Sequence, residues 1–223
     1  DILNAIGGER WEELRNMFHV LANHTSPNVR AVMAASLARV AAILGPDAAE
    51  KELVDTLDEF LEDEPQVRKN VVSHLVELLA AFGPECRESY LAVLADVMQS
   101  TRASPSLSWR FRMFLGRQLP QLSRLFSPIA TYGVVVKILF ALLEDSIAEV
   151  RYSPLPGIPD VLTRVGTIVE HPAWMESLVQ RLQAFESSPT YMKRILFVKM
   201  CIPIASRPCH EQLFMKSFFQ LLI

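Results

Sequence analysis

Five basic side chains recur along this chain: Arg30, Arg68, Arg112, Arg151 and Lys193. Each can donate several hydrogen bonds at once, and a guanidinium meets a carboxylate through two parallel bonds. Chemistry of this kind ties one stretch of backbone to another. Each of the five follows an apolar residue (Val29, Val67, Phe111, Val150, Met192), and the intervals between them are 38, 44, 39 and 42 residues. Groups suited to other chemistry are scattered. His19, His24, His74, His171 and His210 show no His-x-x-x-His or His-Glu-x-x-His spacing, and Cys86, Cys201 and Cys209 no Cys-x-x-Cys spacing, so no metal site is expected. Gly7-Gly8 lacks the Lys-Ser or Lys-Thr of a phosphate loop, and no Gly-x-Ser-x-Gly elbow is present. The expectation is a chain without catalytic residues or cofactor.

A period near 40 predicts stacked helical hairpins. Three residues beyond each basic residue lie Met33, Val71, Leu115, Pro154 and Leu196; seven beyond lie Leu37, Leu75, Leu119, Ile158 and Met200; ten beyond lie Val40, Leu78, Leu122, Val161 and Pro203. These spacings form one helical stripe. Fifteen beyond come Gly45, Gly83, Ser127, Gly166 and Pro208, where a helix of about four turns should stop. This second helix, B, is preceded in each unit by a helix A, marked by Trp11, Leu14 and Phe18, then Leu53, Leu57 and Phe60, then Leu91, Leu94 and Val97, then Val135, Ile138 and Leu142, then Trp174, Leu178 and Leu182. The fold expected is all-α, a superhelical solenoid, with repeats over 1–45, 46–83, 84–127, 128–166 and 167–207. Residues 208–223, with Leu213, Phe214, Phe218 and Leu222, are expected to form helix A of a truncated sixth. The segment Arg151 to Pro159 holds three prolines and a glycine, so its first two turns should be broken. Pro120 and Pro203 should bend their helices. Pro105 is expected in a longer connection, residues 99–108.

The 223 residues carry a formal net charge of −3, and half are apolar, enough for a continuous core in one extended domain. A mild acidic balance speaks against nucleic acid as a partner. The longest apolar stretch, 134–143, is interrupted by Lys137 and is shorter than the ~20 residues a bilayer crossing needs, so no membrane partner is expected. Unpaired cysteine spacing points to a reducing compartment, cytoplasmic or nuclear. The start at Asp1 and the apolar end suggest an excerpt from a longer protein.

The pattern resembles HEAT repeats, in which an Asp six residues before the basic residue helps tie each turn to its neighbour. Asp145 with Arg151 fits, Glu62 with Arg68 fits with a homologous acid, and His24, Ser106 and Ser187 fill the slot elsewhere. Trp109-Arg-Phe-Arg112 with Gln118-Leu, Leu122 and Leu125-Phe-Ser-Pro128 is similar to repeats of the family of regulatory subunit 1 of serine/threonine-protein phosphatase 4. So are Val29-Arg30, Ala42-Ile-Leu-Gly45 and Val67-Arg68. The Trp-Arg-x-Arg element also resembles the protein phosphatase 2A scaffold. The resemblance implies a HEAT/armadillo-like, non-catalytic scaffold that binds a serine/threonine phosphatase catalytic subunit and directs it to phosphoprotein substrates.

It also implies docking along the ridge of A-to-B turns, with Trp109 and Arg110 as contacts. Trp and Arg are enriched at interface hot spots, although Trp109 packed within its own repeat and a solvated Arg110 is the plainer reading. Tyr191 is a further contact candidate. Arg30, Arg68, Arg112, Asp145 and Arg151 are expected to be structural turn residues. The acidic run Asp55 to Glu64 reads as a solvated helix face. The alternative function is another HEAT adaptor, a nuclear transport receptor or chromosome-organising subunit, holding peptides or helices against its B helices.

Overall fold

A computed structural model describes residues 10–103 and 105–207. The fold is an all-α solenoid of helix pairs, with no strand among the described residues. The first pair is α1 (Trp11–Ala22) and α2 (Pro27–Leu44). The second is α3 (Pro46–Glu62) followed by α4 (Pro65–Ser73) and α5 (Leu75–Ala81). Next come α6 (Pro84–Ala103), α7 (Pro105–Arg117) and α8 (Leu119–Leu125). The fourth pair is α9 (Pro128–Ala130), a π turn (Thr131–Val135) and α10 (Val136–Leu143), then α11 (Ala148–Tyr152), a 3-10 turn (Leu155–Gly157) and α12 (Ile158–Gly166). The fifth is α13 (Pro172–Gln183) and α14 (Tyr191–Ala205). Leu213, Phe214, Phe218 and Leu222, like Cys209 and His210, lie outside the described residues.

Proline sets most of these starts. Pro27, Pro46, Pro65, Pro84, Pro105, Pro128 and Pro172 are each the first residue of a helix, where the missing N–H has no intrahelical partner to lose and φ is already helical. Gly45 alone joins α2 to α3 at φ +75°, a conformation that L side chains rarely adopt. Gly83 and Gly166 depart from the expected positive-φ stop. Gly45 is the one positive-φ glycine among the described residues; Phe82 caps α5, and Gly166 remains inside α12 with Thr167 as its cap.

The proline-rich fourth B segment is broken as expected: one short helix, a 3-10 turn and a second helix replace a continuous rod. The break near Pro120 falls at Gln118, between α7 and α8, because Pro120 cannot donate to the preceding turn and crowds the carbonyl four residues back. Pro203 lies inside α14, which continues to Ala205. Residues 99–108 are not a long connection: α6 runs to Ala103 and Pro105 already begins α7. The interruption at His74 and the π turn have no Pro or Gly signal to announce them at their start.

The chain divides into two compact units, residues 1–90 with 106–111 and residues 91–105 with 112–223. In the first, α2 is central and packs on α1, α3, α4 and α5. It buries Ala31, Ala34, Leu37, Ala38, Val40 and Ala41. At 18 residues and mean hydropathy 1.2, α2 has the length and composition of a membrane span. Its packing inside a helical layer accounts for the same composition, and Arg30 at its start is ion-paired. In the second unit α12 is central, against α8, α13, α14 and the π turn, with Ile158, Val161, Leu162 and Val165 buried.

Candidate functional site: the braced turns

Each A-to-B bend leaves backbone carbonyls without helical partners, and buried orphans are costly. The recurrent arginines answer them. Arg30 donates from Nη1 to the carbonyls of His24 at 2.8 Å and Thr25 at 3.2 Å. Arg68 reaches those of Glu62 at 3.5 Å and Asp63 at 3.2 Å. Arg151 reaches those of Asp145 at 2.7 Å and Ser146 at 2.8 Å. In every case the acceptors stand six and five residues before the arginine.

The fifth pair obeys the same rule through Arg194, whose Nη1 donates to Ser188 at 2.8 Å and Pro189 at 3.0 Å. The basic residue of that turn is therefore Arg194 and not Lys193. Lys193 instead pairs with Glu144 at 2.6 Å on the surface. The tenth position of the stripe agrees with the one-residue slip: ten beyond Arg194 is Ile204, fully buried, whereas Pro203 is half-buried. Met192, the apolar residue that suggested Lys193, is exposed.

The carboxylates also differ from the expected scheme. Asp145 presents its backbone carbonyl to Arg151, and its side chain goes to the preceding turn. Arg112 Nε and Nη2 donate to Asp145 Oδ2 and Oδ1 at 2.6 and 3.2 Å, with both side chains almost fully buried. Arg30 makes the equivalent fork on Asp63, at 2.6 and 2.7 Å. So the acid of the second turn is Asp63, and Glu62 is exposed. The Arg30 guanidinium, followed by the Glu64 backbone N–H, holds the Asp63 carboxyl below its ordinary range against the opposing effect of burial. Both forks span 33 residues, an interval legible in the sequence but visible only to a search one turn ahead. Among the described residues no carboxylate pairs with Arg68, whose Nε is buried without an acceptor.

Trp109 and Arg110 do not lie in a bend. They sit in the second turn of α7, because Pro105 starts that helix four residues earlier. Trp109 is half-buried, Arg110 is exposed, and the guanidinium lies over the indole with its carbon 4.5 Å from the ring centroid. The corresponding positions elsewhere, three residues before each bracing arginine, are Pro27, Pro65, Ala148 and, with Arg194 as reference, Tyr191. Tyr191 thus occupies the Trp109 slot of its own pair. It opens α14 at 64% exposure, with Arg194 6.0 Å from its ring.

On the B-helix face of the first unit, Ala35, Ser36, Ala38, Arg39, Ala42, His74 and Glu77 line a groove of about 520 Å³. Among the described residues no three His, Cys, Asp or Glu side chains converge as a metal set would. Burial pushes the Cys201 thiol up to about 11, so its thiolate, the reactive form, is scarce at neutral pH.

Helix pairs with arginine-braced bends define a HEAT/armadillo-like α-α repeat protein. The crystal structure of an engineered protein shares the fold at a TM-score of 0.51 and 18% identity, over 94% of this chain and 87% of that one. The chain is homologous to regulatory subunit 1 of serine/threonine-protein phosphatase 4. Residues 1–97 match the family described as the protein phosphatase 4 regulatory subunit 1 middle domain. The mouse subunit (Mus musculus) is 27% identical over 204 residues, and the human one (Homo sapiens) 26% over the same length. Each alignment takes in 92% of this chain and 21% of the relative, so the chain spans about a fifth of those proteins. Both relatives are named as regulatory subunits.

Proposed function

We propose that this chain is part of a non-catalytic scaffold that binds a serine/threonine phosphatase catalytic subunit of the phosphatase 4 type and brings it to phosphoprotein substrates, in the cytoplasm or the nucleus. The homology over 92% of the chain carries this reading. The turn edges support it, because helix-opening residues such as Asn28, Gln66, Glu149 and Tyr191 are exposed while the arginines behind them are committed to the backbone. A side chain that need not hold the turn is free to meet a partner. Trp109 and Arg110 supply an aromatic and a cation, and Tyr191 repeats the aromatic at the same slot.

The test is capture of the purified phosphatase 4 catalytic subunit by the 223-residue chain. The Trp109→Ala, Arg110→Glu double variant, with helicity unchanged, is expected to weaken capture at least tenfold, and Tyr191→Ala to weaken it further. Unaltered capture by all variants moves the site away from these slots. Absence of capture by the unmutated chain at micromolar concentration removes the phosphatase reading. The groove of the first unit favours one second reading, an adaptor that holds a peptide or helix against its B helices. Ala35→Arg should then abolish binding while the Trp109 variant leaves it intact.

A further inference from the structure

The open face of the second helices differs in charge between the two units. In the first unit Ala35, Arg39 and Ala42 stand five, nine and twelve residues beyond Arg30, and they line the groove with His74 and Glu77. Arg39 and Glu77 cancel, so that face is close to neutral. In the second unit the same positions are cationic. Five and twelve residues beyond Arg112 come Arg117, which ends α7, and Arg124 in α8, both exposed. Five beyond Arg194 comes Lys199 in α14, and Arg207 follows just past that helix, again both exposed. The corresponding residues of the fourth pair, Pro156 and Thr163, are uncharged, and Asp160 is the one acid at these positions.

Asp160 gathers two of the cations without neutralising them. Arg124 donates to its Oδ1 from Nε and Nη2, and Arg207 to its Oδ2 from Nη2 at 3.4 Å. The Asp160 side chain is 10% exposed, those of Arg124 and Arg207 64% and 49%. Each guanidinium has five N–H donors, so most of theirs remain open around one shared carboxylate. A second station lies toward the start of the same helices. Lys199 Nζ is held 4.8 Å from the centre of the Tyr152 ring. Gly116 and Ser153, the chain neighbours of Arg117 and Tyr152, are in close approach: a Cβ on Gly116 would fall 1.9 Å from Ser153 Oγ. Helix α12 packs on both α8 and α14, which puts both stations on one surface. Among the described residues no carboxylate pairs with Arg117 or Lys199.

We propose that this face of the second unit binds an extended acidic peptide segment, seating one carboxylate between Arg117 and Lys199 and the next between Arg124 and Arg207. Charge complementarity is the warrant, and the spacing sets the ligand. Seven helical residues separate Arg117 from Arg124, about 10 Å at 1.5 Å per residue. A polyproline II chain advances about 9 Å in three residues and returns to the same side, so the acids of the ligand stand three apart. Nucleic acid is the poorer fit, because a phosphate backbone needs a longer run of cations and would be repelled by Asp160. Exposed Val198 and Ile202 beside Lys199 suit peptide side chains instead. The inference does not depend on which partner the turn edges bind.

Fluorescence anisotropy tests it on the 223-residue chain, with a fluorescein-labelled peptide that repeats Glu-Ser-Gly five times, in about 100 mM salt. Micromolar binding is expected, and at least tenfold weaker binding of the same peptide with Gln in place of each Glu. Arg117→Glu together with Lys199→Glu should weaken binding at least tenfold and leave the melting temperature unchanged, since both side chains are exposed. The same charge change at exposed Lys51 and Lys69 of the first unit should alter it less than threefold, which separates this face from net charge. No binding at about 100 μM peptide, equal binding of the Gln peptide, binding that survives the Arg117 and Lys199 changes, or equal loss from both double variants overturns the proposal. A single-stranded oligonucleotide that binds more tightly and displaces the peptide also overturns it, assigning the face to nucleic acid.

Discussion

Arg112 and Asp145 form an almost dry ion pair whose lone pairs are further used: Asp145 Oδ1 also accepts from the Ile147 backbone N–H at 2.9 Å. Removing one member strands the other charge, so Asp145→Ala should cost about 3–5 kcal/mol in urea unfolding. Replacing both by apolar residues of similar volume, Arg112→Met with Asp145→Leu, should restore much of that loss. Arg30 with Asp63 has the same geometry nearer to solvent, and Asp63→Asn should lower the melting temperature by less. It also carries a pH signature. The folded state depresses the Asp63 carboxyl below its ordinary value of 3.8. The stability this provides is complete above that value and disappears as pH falls through the depressed one. Melting curves from pH 6 to pH 2 should therefore lose part of their acid slope in Asp63→Asn. An unchanged slope would show that the fork contributes nothing in solution.

At the scale of the helix, close approach between successive pairs depends on small residues at few points. Gly157 lies against the Pro120 ring, with a virtual Cβ 2.9 Å from its Cδ. Neither a ring nor the adjoining backbone can swing aside. Gly157→Ala should destabilise by about 1–3 kcal/mol as an overpacked contact, and Pro120→Ala in the same chain should recover part of it in a double-mutant cycle. Strict additivity would mean that the two do not touch. The segment around this contact, Arg151 to Pro159, was legible as broken because prolines write their effect locally. The break at His74 was not, since nothing in Ser73-His74-Leu75 forbids a helix. There His74 Nδ1 lies 2.8 Å from Glu77 Oε2 and α5 restarts after one residue.

Over the whole molecule the charge is unevenly divided. Acidic residues outnumber basic ones 16 to 9 in the first unit, and basic outnumber acidic 13 to 9 in the second. A net charge of −3 conceals this. Fields of opposite sign steer different partner surfaces and are screened by salt within a Debye length, ~8 Å at physiological ionic strength. Capture of a basic partner surface by the first unit should weaken markedly between 50 and 300 mM salt, read as a falling association rate. A rate independent of salt would leave docking to apolar contacts such as Trp109 and Tyr191.

The helical pairs were legible in the sequence alone, because apolar stripes act within a few residues of themselves; that prolines open most of the helices, an equally local effect, was shown by the structure. The bracing role of Arg30, Arg68 and Arg151 could be anticipated from their interval. Tertiary structure decided the rest. Lys193 and Arg194 are adjacent, and only the fold of the fifth turn shows which one faces its carbonyls. Asp63 and Asp145 reach back 33 residues to the preceding arginine, a pairing that exists only when one bend is stacked on another. Trp109 left the bend for a helix because Pro105 started that helix early. A local pattern can specify which side chains share a stripe; which of them is left uncovered is settled by what packs against it.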